Sequence, residues 1–255
     1  MFKKLKAQIN RSFFRPSLTG LLLNPFHIDR SSLYRGIQNF APQCTGKIAD
    51  IGCGSKPYEH LFNCTQYVGL DLPRQHAAAN IQTDLFFDGQ TLPLTNGSFD
   101  CAVAFQVFEH VFTPEQFLSE IHRVLKPDGH LLMTLPFTWD EHEQPNDFAR
   151  YSSFGLKSVL ENAGFQVVEL HKTNNNFSVI LQLVNTYLFK VFFTRQPIIN
   201  VCLALLLTFP VTVVGIVLGW LLPNNDDLYL ENIVLAQKVE NDDCIAQASD
   251  IILKS

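Results

Sequence analysis

The sequence predicts an α/β fold: a doubly wound, mostly parallel sheet with helices on both faces and an apolar helical hairpin inserted late in the chain. Three observations predict it. Strand-like apolar runs alternate with helix-period segments between residues 47 and 170, the pattern of a parallel sheet covered on both sides. The glycine-bearing segment Asp50-Ile51-Gly52-Cys53-Gly54 follows the first of these runs, where an open sheet forms its ligand crevice. Residues 177–222 are then apolar almost throughout, before a strand pattern resumes at 228–236.

Strands are expected at 47–51, 67–71, 80–84, 99–105, 130–135 and 165–170, with the last at 228–236. Thr113-Pro114-Glu115-Gln116 reads as an N-cap, a proline at the first helical position and a capping-box glutamine, so a helix should cover 114–125. Lys126-Pro127-Asp128-Gly129 should turn the chain. A second helix should begin after Ser152 or Ser153 and close at Gly164, which suits the left-handed residue that ends helices.

The insertion has two arms, 177–193 and 198–222, separated by Thr194-Arg195-Gln196-Pro197. The second arm carries no charge and is long enough for a bilayer core of ~20 residues. If the strand at 228–236 rejoins the sheet, a single crossing would put it on the wrong side, so a hairpin is expected, either crossing twice or dipping into one leaflet, with Pro210 kinking its second arm. A buried helical cap or a dimer interface is the alternative.

At 255 residues the chain suits one core with extensions. The expected organisation is an N-terminal extension at 1–45, a catalytic domain at 46–172 plus 227–240, the hairpin at 173–226 and a tail at 241–255. A net charge of −5 argues against a nucleic-acid partner. Lys3, Lys4, Lys6, Arg11 and Arg15 alternate with Phe2, Leu5, Ile9, Phe13 and Phe14, which gives either a helix for an anionic membrane surface or a solvated basic arm. The apolar run at 18–23 is too short for a secretory signal. Cys44, Cys53, Cys64, Cys101, Cys202 and Cys244 form no Cys-x-x-Cys pair, so reduced thiols are expected, with the catalytic part on the cytoplasmic side of a membrane.

The glycine loop lets backbone approach a ligand closely. A dinucleotide site would place a third glycine at the start of a long helix, under the pyrophosphate; here that position is Pro57, which disfavours a nicotinamide-dependent oxidoreductase. Asp71, at the end of the second strand, suits the two hydroxyls of a ribose, and Asp84, at the end of the expected third strand, suits an exocyclic amine. Each acid alone could equally be a cap or loop residue.

With these stand Ser98-Phe99-Asp100, Phe108-Glu109-His110-Val111 and Arg123-Val124-Leu125-Lys126-Pro127-Asp128-Gly129. Together the motifs make residues 46–165 resemble the class I S-adenosylmethionine-dependent methyltransferases, in particular the broad group that includes small-molecule and lipid methylating enzymes. The resemblance implies a seven-stranded Rossmann-like sheet and S-adenosylmethionine as cofactor. It implies cofactor contacts from Asp50, Gly52, Gly54, Asp71 and Asp84, with Phe105 or Gln106 lining the site. The segment from Trp139 to Tyr151 also resembles a loop of a bacterial branch linked with envelope polysaccharide or lipid pathways. The implied acceptor is a small molecule, a lipid-linked species, a quinone or an envelope glycan.

Methyl transfer from a sulfonium is an in-line displacement, and a hydroxyl acceptor also needs its proton removed. His110 and His142 are the candidate bases; the alternatives are a loop-anchoring Glu109-His110 pair and a solvated His142. Arg150 can hold an anionic substrate group or pair with Asp147. Glu109, His110 and His142 together suggest a divalent cation. But Gln106 stands one turn before Glu109, where relatives that methylate paired hydroxyls supply another carboxylate, so no metal is expected. A cofactor-binding scaffold without catalysis is the competing reading.

Overall fold

The structure is a computed structural model and describes residues 14–73 and 82–239. Most of the basic N-terminal pattern, the expected strand start at residue 80 and the tail with Cys244 lie outside them. Among the described residues, seven strands form one sheet in the order β3-β2-β1-β4-β5-β7-β6. These are β1 (Gly46–Ile51), β2 (Cys64–Asp71), β3 (Leu85–Phe86), β4 (Phe99–Phe105), β5 (Leu125–Pro136), β6 (Phe165–Thr173) and β7 (Glu231–Lys238). The helices are α1 (Leu18–Leu23), α2 (His27–Phe40), α3 (Pro114–Val124), α4 (Ser153–Asn162), α5 (Ser178–Phe192) and the long α6 (Pro197–Leu221).

Strands β3, β2, β1, β4 and β5 pair in parallel. β7 runs antiparallel to β6: the Leu230 N–H donates to Thr173 O and the Val239 N–H to Gly164 O, so one strand rises as the other falls. The chain that leaves the sheet at Thr173 therefore returns to the same sheet at Glu231.

Three expectations are corrected. The third strand is only two residues long and lies at 85–86, beyond Asp84. The Lys126-Pro127-Asp128-Gly129 turn becomes a bulge within β5: Leu125 pairs with Phe99 and His130 with Cys101, and Asp128 takes φ +60°. The Thr113 side chain makes no capping hydrogen bond, so Pro114 alone marks the start of α3. By contrast, Ser152 caps α4 through Gly155 N and Gly164 takes φ +83°.

The chain divides into two compact units. One covers, of the described residues, 39–73, 82–136, 142–171 and 232–239, and its core packs Ala49, Leu70, Ala102, Leu131 and Met133 of the sheet with Leu118 and Ile121 of α3 and Leu156 and Leu160 of α4. The other covers, of the described residues, 14–38, 137–141 and 172–231, so the N-terminal helices group with the inserted hairpin. In it Gln182 of α5 accepts from Asp29 N and donates to Pro25 O, and Asn174 donates to Ile28 O.

Within α6 a π-helical turn occupies Ala204–Thr208. Pro210 lacks an N–H and its ring crowds the carbonyl of Leu206, four residues back, so the register widens there instead of the helix breaking.

Candidate active site

Parallel register brings the carboxyl ends of the first four strands to one edge: Ile51 lies beside Leu70, and Asp71 beside Phe86. A cavity of about 650 Å³ opens there, lined among others by Gly52, Asp71, Leu72, Phe87, Asp88, Gln106, His110, Phe117 and Phe148. That volume falls in the range of small-molecule and cofactor sites.

The glycine loop is pinned to β2 by Gly52 N and Cys53 N, both donating to Leu70 O. Gly52 takes φ +73°, and a Cβ there would stand 2.4 Å from Val107 Cγ2, so only glycine fits. Asp71 is buried; its Oδ2 accepts from Gly54 N at 3.1 Å and its Oδ1 from Leu72 N at 2.8 Å. Gln106 leaves β4 at φ +57°, a conformation uncommon outside glycine, held by its N–H on Thr134 O and its amide on Thr134 Oγ1.

Of the residues expected to touch cofactor, Gly52, Asp71 and Gln106 line the cavity, as does the candidate base His110. The others serve from behind or elsewhere. Asp50 is buried, and its carboxylate accepts from Tyr67 Oη at 2.9 Å. Burial pushes its pKa up to about 7, against the lowering effects of that hydrogen bond and of Lys56. Gly54 supports the loop through Asp71, and Phe105 packs on Tyr58 and Phe62.

Asp84 turns away: its N–H donates to Gly69 O, and its carboxylate takes Gly69 N and the Lys56 ammonium. Partial burial raises its pKa, but these two donors outweigh that and hold it low. Asp88 lines the cavity in its place, just after β3. Thr91 N and Gln90 N hold its carboxyl below the usual range. The sequence signal was present in Asp88-Gly89, a turn pair one residue beyond the two strand residues.

The loops after β4 and β5 are stitched together. Phe148 N and Ala149 N donate to Glu109 O, and His110 Nδ1 lies 2.6 Å from Asn146 O. Arg150 is not available as an anion clamp: its guanidinium grips both oxygens of Asp147, at 2.6 and 2.7 Å, and pulls the Asp147 pKa down to about 2. His142 faces Asp147 and Glu109 and does not line the cavity; Glu143 and Asn146 from its loop do.

This is an open α/β sheet whose strand ends form a crevice with the buried Asp71 in its wall. Residues 49–133 match the family model described as Methyltransferase domain. A protein of Mycolicibacterium smegmatis named "Probable S-adenosylmethionine-dependent methyltransferase" is 32% identical over 144 residues, which cover 51% of this chain and 56% of that protein. An O-methyltransferase of Pyrenophora dematioidea is 27% identical over 146 residues, 48% of this chain and 55% of the relative. The chain thus spans about half the length of the curated relatives it matches.

Among solved structures, an S-adenosylmethionine-dependent methyltransferase of Mesorhizobium loti aligns with TM-score 0.52 at 16% identity, over 83% of this chain and 100% of that one. Phosphoethanolamine N-methyltransferase 2 of Haemonchus contortus, in complex with S-adenosyl-L-methionine, aligns with TM-score 0.54 at 17% identity, over 92% and 60%. These likenesses concern the fold. Residues 49–133 thus carry a methyltransferase domain, within a fold similar to that of class I S-adenosylmethionine-dependent methyltransferases.

Proposed function

We propose that the protein is a membrane-associated methyltransferase that moves the methyl group of S-adenosylmethionine onto a small or lipid-linked acceptor, of the quinone or envelope-glycan kind, at the cytoplasmic face of a bilayer. The observation that carries the membrane reading is the inverted polarity of the hairpin. In α5 and α6 the side chains of Gln182, Asn185, Thr186, Thr208 and Thr212 are buried, while Ile180, Val184, Tyr187, Leu206, Val214, Val217 and Trp220 are exposed. Water would favour the reverse. In hydrocarbon, polar groups must find partners between helices and apolar side chains face lipid.

Asn185 Nδ2 donates across to Thr212 Oγ1 at 2.8 Å, and Ala204, Thr208, Thr212, Gly215 and Gly219 form a small-residue stripe. A Cβ on Gly215 would sit 2.9 Å from Leu181 Cβ, so the stripe allows the two helices to pack closely. Lys190, the lone charge of α5, pairs with Asp140.

At 25 residues α6 is long enough for a bilayer core of ~30 Å, whereas α5, at 15 residues, reaches only about 22 Å at 1.5 Å per residue. Unequal arms, and a chain that must return to the same sheet, support re-entry into one leaflet over two full crossings.

For the transfer itself, Asp71 receives the ribose hydroxyls, Asp88 and the apolar walls frame the base, and Gly52 lets backbone meet the amino-acid part. His110, at the cavity wall, stands where an acceptor proton would be taken up. Tethering this site to a bilayer raises its encounter rate with a lipid-phase acceptor.

The test uses the full-length protein. Titration calorimetry should show S-adenosylmethionine binding that Asp71→Ala abolishes, labelled methyl groups should enter a bacterial lipid extract, and the protein should float with liposomes in high salt. A folded wild-type protein giving no heat of binding refutes the cofactor role. Binding without transfer marks a scaffold, and a protein that stays at the bottom of the gradient removes the membrane.

A further inference from the structure

The two loops stitched together beside the cavity also assemble a cluster that methyl transfer does not by itself require. Glu109, His110 and His142 each turn one ligand-type atom inward, and these atoms all lie within 4.8 Å of one another. His110 Nε2 is 3.8 Å and His142 Nε2 is 3.9 Å from Glu109 Oε1, which is fully buried. The two rings meet edge to face with their centroids 4.9 Å apart.

The opposite nitrogen of each ring is fixed from outside. His110 Nδ1 lies 2.6 Å from the Asn146 carbonyl and His142 Nδ1 3.3 Å from Asp147 Oδ2. For His110 the carbonyl acceptor at Nδ1 draws the proton there and leaves the Nε2 lone pair facing the cluster, while His142 Nδ1 faces Asp147 and, at 3.5 Å, the Arg150 guanidinium. A carbonyl or carboxylate beside Nδ1 is the outer arrangement by which proteins orient metal-ligating histidines. Asp147 is in turn locked by Arg150. Bonds of ~2.1 Å in a tetrahedral site set ligand atoms about 3.4 Å apart, so the pairs with Glu109 need only close by roughly half an ångström.

We infer that Glu109, His110 and His142 form a three-ligand site for a divalent transition cation such as Zn²⁺, Mn²⁺ or Fe²⁺, with its remaining positions for an acceptor hydroxyl. Two imidazoles and one carboxylate select these ions over Ca²⁺ or Mg²⁺, which prefer all-oxygen ligands. The expectation of no metal rested on Gln106 standing where a fourth protein ligand would be. The amide of Gln106 is engaged by Thr134, and a three-ligand site needs no fourth protein group.

Because His110 belongs both to the cluster and to the cavity wall, the cation sits at the edge of the cofactor crevice. There it takes the oxygen of the acceptor and lowers its pKa. His110, engaged as a ligand, does not serve as the base of the metal-free reading above, and the O–H bond breaks with the proton leaving to water. The oxygen then forms a bond to the methyl carbon as the carbon–sulfur bond breaks, and that electron pair stays on sulfur to give neutral S-adenosylhomocysteine. This last assignment rests on the methyltransferase reading above and narrows it to hydroxyl acceptors; the cation site itself does not.

Metal-free full-length protein in detergent is titrated with Zn²⁺, Mn²⁺ and, as a spectroscopic probe, Co²⁺, without S-adenosylmethionine. One equivalent is expected to bind, with Co²⁺ giving visible bands. His142→Ala and Glu109→Gln should abolish this, and Asp147→Asn should weaken affinity roughly 10–100-fold. His142→Ala should still bind S-adenosylmethionine, which reports that it is folded, and Asp71→Ala should keep the metal and lose the cofactor. Wild-type protein that binds S-adenosylmethionine but takes up none of the three ions, or ions bound equally by His142→Ala, overturns the inference and leaves the cluster as an ion-paired loop anchor.

Discussion

Asp84 and Asp88 lie four residues apart, and only the second faces the cavity. The two carboxylates differ in their partners: Asp84 is occupied by Gly69 N and Lys56, whereas Asp88 is held by its own turn. Asp88→Ala should therefore weaken S-adenosylmethionine binding roughly tenfold or more, as expected for loss of a charged acceptor, while Asp84→Ala should leave it nearly unchanged; parallel calorimetric titrations decide. Asp50 makes a second test. Its pKa is raised to about 7, above the unfolded value of ~3.9, so its contribution to stability is fully present below pH ~4 and is lost as pH rises through 7. In Asp50→Asn that loss disappears, so the melting temperature of the variant should gain on wild type between pH 5 and pH 8. Equal pH profiles would mean Asp50 titrates normally.

At the scale of elements, the helices were legible because their signals are local. Pro114 opens α3, Ser152 caps α4, and Gly164 closes the turn before β6. β3 was not legible. Two residues carry no periodicity, and its place is set by pairing with Leu70 and Asp71 on β2, a contact distant in sequence. A kink at Pro210 was expected; what α6 shows beside that proline is a π turn at Ala204–Thr208. The Asn185–Thr212 bond ties the two arms of the hairpin. Thr212→Val keeps the shape and removes the acceptor, and should cost about 0.5–2 kcal/mol, the range for such bonds between membrane helices. Unfolding in detergent micelles measures it, and an unchanged midpoint would show that the bond contributes nothing.

For the whole molecule, the question is which segment holds the chain to a bilayer. If the inverted polarity of α5 and α6 has the meaning proposed above, deleting residues 176–226 with a short linker should leave the protein in the soluble fraction. Retention in the membrane pellet would shift the role to the basic N-terminal segment. The grouping of residues 14–38 with the hairpin in one unit is a tertiary fact that no local pattern announces.

The sequence by itself determined the fold class, the glycine loop, Asp71 and the existence of an apolar hairpin, because periodicity, φ requirements and hydropathy are properties of neighbouring residues. Tertiary structure decided that Asp88 and not Asp84 faces the cofactor crevice. It decided that Arg150 closes on Asp147, and that Glu109, His110 and His142 converge on one point. Those outcomes turn on parallel register and on two loops meeting across more than thirty residues of chain, which spacing along one strand or helix cannot encode.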